Sequence, residues 1–200
     1  FDGKKLGNIN LNVPGEHNIL NSLAAISLCI EMGISFKVIK NSLLKYKGVR
    51  RRFDIKGTYN NIMVVDDYAH HPTEIAATLH AAKKGWKKRI VAVFQPHLFS
   101  RTLKFYKEFS LALKIADKII ITEIYPAREK PIPGVSSKII YNELVKIKKN
   151  NCLLIPDLND LQKNLNKLLQ PNDLLITLGA GTIWRYNISY TNYLKKNSKD

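Results

Sequence analysis

Five apolar runs punctuate the chain after residue 60: IMVVDDY (62–68), RIVAVFQP (89–96), DKIIITEIYP (117–126), NCLLIPD (151–157) and DLLITLGAG (173–181). They are rich in Val, Ile and Leu and do not alternate with polar residues, the pattern of strands buried on both faces. Between them, residues 73–84, 100–115, 137–149 and 158–169 carry apolar positions at helical spacing. FDIKGTYN, ahead of the first run, reads as a further strand joined to it by a turn at Asn60-Asn61. Strand-helix alternation with right-handed crossovers predicts an α/β fold, a Rossmann-like, mostly parallel sheet with helices on both faces.

The first 49 residues follow another pattern. LGNINLNV (6–13) reads as a strand ending at Pro14-Gly15. Ile19, Leu20, Leu23, Ile26 and Ile30 fall on a helical period that Gly33 stops. Residues 35–46 repeat that pattern, with Ser35 placed as N-cap. One strand and two helices cannot enclose a core. Residues 1–49 are therefore expected to be the end of a preceding domain, with KGVRRR (47–52) as the seam and residues 50–200 as the second domain. The tail after Tyr186, ending in KKNSKD, is expected to fray. A start without Met, in what reads as mid-strand, points to a fragment.

Composition narrows the function classes. Hydrophobic residues at 45% and charged residues at 24% exclude a disordered or collagen-like chain. There is no apolar run of about 18 residues, so no membrane span is expected, and no signal core precedes residue 10. Cys29 and Cys152 lie in apolar runs and read as small buried hydrophobes of a reducing, cytoplasmic compartment. The net charge of +16 raises a polyanion partner. However, the basic residues are 25 Lys against 7 Arg, with the Lys scattered over helix faces, whereas nucleic-acid sites favour Arg. No nucleic-acid partner is expected, although a basic nucleic-acid-binding module remains an alternative.

Doubly wound sheets bind ligands just past the carboxyl ends of their strands. Those ends carry Asp66-Asp67-Tyr68-Ala69-His70-His71-Pro72, Gln95-Pro96-His97-Leu98-Phe99-Ser100-Arg101, Glu123-Ile124-Tyr125-Pro126-Ala127-Arg128-Glu129 and Gly179-Ala180-Gly181-Thr182. Asp67 with His70, His71 and His97 could ligate a metal, but the spacing matches no structural zinc pattern and such strings also cap helices, so no metal is expected. Ser100 near His97 lacks a nucleophile elbow. Anion handling by His and Arg, with an aspartate on a ribose diol, suits the rim best. Gly179-Ala180-Gly181-Thr182 fits either an anion-cradling helix start or a tight strand-to-helix turn. Asn18 and Asn21 share one face of a helix start, where they could read an adenine edge. Spacing alone favours simple capping.

Together, G-E-H-N-x-x-N (15–21), R-R-F (51–53), D-D-Y-A-H-H-P-T-E (66–74), F-Q-P-H-x-F-S-R-T (94–102), E-I-Y-P-A-R-E-x-P-I-P-G (123–134) and G-A-G-T-I (179–183) resemble the Mur ligase family, the ATP-dependent ligases of peptidoglycan precursors. The resemblance runs from about Pro14 to about Ile183 and is nearest the branch that adds L-alanine to UDP-N-acetylmuramate. It implies a central ATPase domain followed by a Rossmann-like C-terminal domain that receives the amino acid. It further implies His17, Asn18 and Asn21 at the adenine, Arg52 reaching the nucleotide, and Asp67 on the ribose. Tyr68, His70 and Arg101 would form the amino-acid pocket, with His70, Arg101 and His71 as the catalytic set. ATP would form an acyl phosphate on the muramate carboxylate, which the alanine amine attacks. No P-loop sequence is present, so most Mg2+ ligands would lie outside this chain. Leu98 stands where some members carry a second basic residue. The tripeptide-adding recycling branch of the family is the near alternative.

Overall fold

Residues 1–198 are described by the computed structural model, in which the chain divides after Arg50 into two units. The first holds α1 (Glu16–Glu31) and α2 (Phe36–Lys45). Gly33 ends α1 as expected. It takes φ 79°, and the next amide, Ile34 N–H, bonds back to the Cys29 carbonyl. Two expectations need correction. Residues 6–13 form no strand, because a strand needs a neighbour for its N–H and C=O groups and this unit contains none. Ser35 occupies the N-cap position of α2, but its hydroxyl makes no capping bond. Ile39 is the one buried apolar side chain of the unit, and Ile19, Leu20 and Leu23 of α1 lie exposed.

The second unit opens with a hairpin of β1 (Asp54–Tyr59) and β2 (Ile62–Asp67). Asn60 and Asn61 take φ 49° and 59° at its turn, a left-handed pair that Asn tolerates and that matches strand twist. There follow α3 (Pro72–Gly85), β3 (Arg89–Phe94), α4 (Phe99–Leu113), β4 (Lys118–Ile121), α5 (Lys138–Ile147), β5 (Cys152–Leu154), α6 (Leu161–Leu168), β6 (Asp173–Leu178) and α7 (Ile183–Lys196). The sheet order is β1-β2-β6-β3-β4-β5, and every pair except β1–β2 is parallel. The ends of β2, β6, β3 and β4 therefore share one edge.

Alternate residues of each strand serve opposite faces. Met63, Val65, Ile90, Phe94, Ile119 and Ile176 pack with Ile75 and Leu79 of α3, Phe109 and Leu113 of α4, and Ile140 and Leu144 of α5. Val64, Val91, Val93, Ile120 and Leu175 pack with Leu161 and Leu165 of α6 and with Ile183, Tyr190 and Leu194 of α7. The sheet is thus covered on both faces, which is why its strands read as continuous apolar runs. At the edge away from the strand ends, Arg89 and Asp173 face each other in register and pair through Nε–Oδ1 at 2.8 Å and Nη2–Oδ2 at 2.6 Å. The tail does not fray where expected. Tyr190 and Leu194 are buried, and that burial carries α7 to Lys196. The part of that expectation concerning residues 199–200 lies outside the described residues.

Candidate active site

Four loops of the second unit meet at the strand-end edge. Tyr68 and His70 leave β2, with their rings edge-to-face at 5.1 Å. His70 lies 6.0 Å from His97, which follows β3. The His97 ring in turn stacks on Tyr125, beyond β4, at 5.7 Å and 25°. Backbone bonds hold the latter two segments together, from Leu98 N–H to the Tyr125 carbonyl and from Tyr125 N–H to the Pro96 carbonyl. Arg101, in the first turn of α4, points Nη1 at His97 Nδ1 across 3.5 Å. That long contact is the only hydrogen bond of its guanidinium among the described residues, so most of its five-donor fork has no protein acceptor. Tyr68, His70 and Arg101 are therefore gathered around His97, weighed above only as a metal ligand and as a neighbour of Ser100, and Tyr125, quoted above only within its motif. Their signal was positional, since both follow a strand end.

The two histidines are prepared differently. His70 Nδ1 lies 3.0 Å from the Tyr68 carbonyl, which can only accept, so a neutral ring carries its proton there and leaves the Nε2 lone pair open. Glu74 Oε2 sits 3.3 Å from the same nitrogen. Burial works to raise the Glu74 carboxyl, but the His70 N–H and charge, with Arg52 and the His71 N–H, outweigh it and hold it below the usual range. Burial, then Arg101 and then His70, push His97 below the ordinary histidine value of about 6.5. A folded state that holds this proton more weakly than the unfolded chain loses stability as pH falls through the histidine range. The His97 resonance followed by NMR is expected to titrate below 6.5, and Arg101→Ala to move it upward. A midpoint at or above 6.5 would contradict this environment.

His71 is the N-cap of α3. Its Nδ1 accepts from Thr73 N–H at 3.5 Å, and Glu74 accepts from the His71 N–H at 3.2 Å, a reciprocal cap followed by Pro72. Its ring packs edge-on against Phe105 at 5.0 Å. The structure thus engages His71 in helix capping and does not bring its ring against Tyr68, His97 or Arg101.

Asp67 is buried, and three donors converge on it: Phe53 N–H (2.9 Å) and the Thr78 hydroxyl (3.1 Å) on Oδ2, and Ala69 N–H (2.8 Å) on Oδ1. One acceptor position remains, on Oδ1. Burial raises the carboxyl despite these donors and Arg52. Arg52 is half exposed, 3.5 Å from Glu74, with its guanidinium over the Tyr68 ring at 5.7 Å. Arg51, which the sequence reading treated only as part of a junction, is more engaged. Its Nε bonds Asp66 at 3.1 Å, its Nη2 bonds the Gly179 carbonyl at 2.6 Å, and its guanidinium lies over Tyr68 at 4.8 Å. The available signal was Asp66, a carboxylate in an apolar run that burial obliges to find a partner.

The glycine string packs as a tight turn. A Cβ on Gly179 would come within 2.7 Å of the Gln95 carbonyl, and one on Gly181 within 2.6 Å of Tyr125. Gln95 also accepts from Ile183 N–H at 2.9 Å, so that amide of the α7 start is already taken. In the first unit His17 and Asn21 are exposed, while Asn18 Nδ2 donates to the Pro14 carbonyl at 2.6 Å. Neither Asn is the cap of α1, because Gly15 holds that position without a side-chain bond. Among the described residues, no three His, Cys, Asp or Glu side chains group as a metal site.

A family model described as Mur ligase, glutamate ligase domain, matches residues 51–181. The UDP-N-acetylmuramate–L-alanine ligase of Clostridium kluyveri is 47% identical over 189 residues, covering 94% of this chain and 41% of that protein. The same-named protein of Lawsonia intracellularis is 50% identical over 182 residues, covering 90% and 40%. Among solved structures, the UDP-N-acetylmuramate–alanine ligase of Thermotoga maritima superposes with a TM-score of 0.84 at 30% identity, over 98% of this chain and 42% of that one. The chain thus spans about two fifths of the length of the curated relatives it matches.

Proposed function

Because the chain belongs to the Mur ligase family, we propose that it supplies the amino-acid-accepting part of an ATP-dependent ligase joining L-alanine to UDP-N-acetylmuramate in the cytoplasm. One observation carries this reading. The Arg101 guanidinium, most of its donors without a protein acceptor, meets His97, and the His97 ring in turn lies against those of His70 and Tyr125 at the strand-end edge. Such a pocket suits a small zwitterion. The Arg101 fork pairs with its carboxylate. His70, with Nε2 free to accept, receives a proton from the ammonium, so that the amine can attack the activated muramate carboxylate. Tyr68 and Tyr125 wall the pocket and keep water from a labile acyl phosphate.

Residues 1–49 are read as the end of the ATP-binding domain, a division supported by the break after Arg50 and by the family match starting at residue 51. His17, Asn18 and Asn21 are proposed for the adenine, Arg52 for the nucleotide, and the one open acceptor position of Asp67 for the ribose. Among the described residues no carboxylate group is arranged to hold Mg2+. Asp66 is bound to Arg51 and Thr177, and Asp67 to three donors, so no step is assigned to the ion on these residues. No helix of the described residues is long and apolar enough to cross a membrane.

The test is ADP release by the full-length protein with Mg2+, ATP and UDP-N-acetylmuramate. Release on adding L-alanine is expected. Release only with a preformed tripeptide would move the protein to the recycling branch.

A further inference from the structure

We infer that Glu129 is a positioning residue of the acceptor pocket: reaching over from the loop after β4, it caps the first turn of α4 and thereby holds Arg101. The inference rests on the acceptor reading above. α4 cannot cap itself. Its N-cap residue is Leu98, which has no side-chain acceptor and sits at φ 72°, a strained setting for a branched apolar residue. The missing acceptor comes from Glu129. Its Oε2 accepts from Ser100 N–H at 3.0 Å, and its other oxygen accepts from the Ser100 hydroxyl. Those bonds, the Ser100 hydroxyl foremost, hold the Glu129 carboxyl below its ordinary range, so a full negative charge faces the positive end of the helix.

The geometry ties this cap to the pocket. Phe99, Ser100 and Arg101 are the first three residues of the helix, so the Ser100 amide that Glu129 grips directly precedes the Arg101 backbone. The Glu129 loop is itself anchored beside the pocket. Glu129 N–H bonds the Pro126 carbonyl at 2.9 Å, and Tyr125 is pinned to Pro96 and Leu98 on the other side. Glu129 thus joins the β4 loop, which carries Tyr125, to the helix that carries Arg101. Losing the cap would let the first turn loosen and the guanidinium drift while the rest of α4 stays packed through Phe109 and Leu113.

The experiment is steady-state kinetics of the full-length ligase carrying Glu129→Ala or Glu129→Gln. Glu129→Ala is expected to raise the KM for L-alanine about tenfold, as loss of a helix cap predicts, with the KM for ATP unchanged. Glu129→Gln keeps one acceptor oxygen for Ser100 N–H and should recover part of that loss, which also covers the case of an alanine variant that folds poorly. An unchanged L-alanine KM in both variants, or a parallel rise in both KM values, would overturn the positioning role. Failure of the functional reading has a different signature, because the wild-type protein itself would then release no ADP on adding L-alanine.

Discussion

Arg101→Ala in the full-length ligase is expected to lower kcat/KM for L-alanine by about 10²–10³-fold, the loss that follows when one partner of a hydrogen-bonded charge pair is truncated. The KM for ATP should stay within about twofold, since the one hydrogen bond of Arg101 among the described residues goes to His97 in the proposed acceptor pocket. The expected effect is large because the guanidiniums that lie over Tyr68 are already paired, Arg51 with Asp66 and the Gly179 carbonyl and Arg52 with Glu74. Leu98 stands where a second basic residue could have shared the work, and its side chain offers no donor. Burial, the largest influence lowering His97, persists in the variant and works against His97 taking over the lost charge. Arg101→Lys should fall between, because an ammonium keeps the charge and loses the two-pronged geometry. Equal losses toward alanine and ATP would remove Arg101 from the acceptor pocket.

Asp173→Ala is expected to destabilise the second unit by about 3 kcal/mol, measured by urea unfolding, with little effect on substrate affinities. Asp173 is buried at the start of β6 and receives two short bonds from Arg89 and one from Gln170 N–H at 2.9 Å. Removing it leaves Arg89 Nε and the Gln170 N–H without that acceptor, while Arg89 Nη2 keeps its bond to the Leu168 carbonyl at 2.9 Å. The Arg89 side chain keeps 28% of its exposure, so water relieves part of the loss, which places the value at the lower end for a broken buried pair. The pair sits at the sheet edge away from the strand ends, so activity per folded molecule should survive. A loss below about 1 kcal/mol would mean that the pair behaves like a solvated surface contact.

The sheet was legible because doubly covered strands leave a mark that survives without context: unbroken apolar runs at regular intervals, with Asn60-Asn61 as turn punctuation. The segment at 6–13 misled for the complementary reason. Strand-like composition is only a propensity, and pairing requires a neighbour. α7 was underestimated because Tyr190 and Leu194 are spaced among polar residues, so the stripe that buries them is thin. At the site, the candidate residues stood out by type and by position after a strand. Their partners did not. Arg51 finds Asp66 across 15 residues and Gly179 across 128, and Glu129 finds Ser100 across 29. Such pairings are products of the topology, and no local window contains them. His71 shows the converse: a residue type suited to catalysis, placed beside a proline where a helix must start, is engaged as a cap.

The most direct test compares L-alanine with L-alaninamide as acceptors in the ADP-release reaction of the full-length protein. The amide keeps the attacking amine and the methyl group and lacks only the carboxylate assigned to Arg101. L-Alanine should support ADP release and L-alaninamide should not, even at concentrations far above the L-alanine KM. Comparable use of both acceptors would contradict the account, because the guanidinium at the strand-end edge would then have no carboxylate to hold.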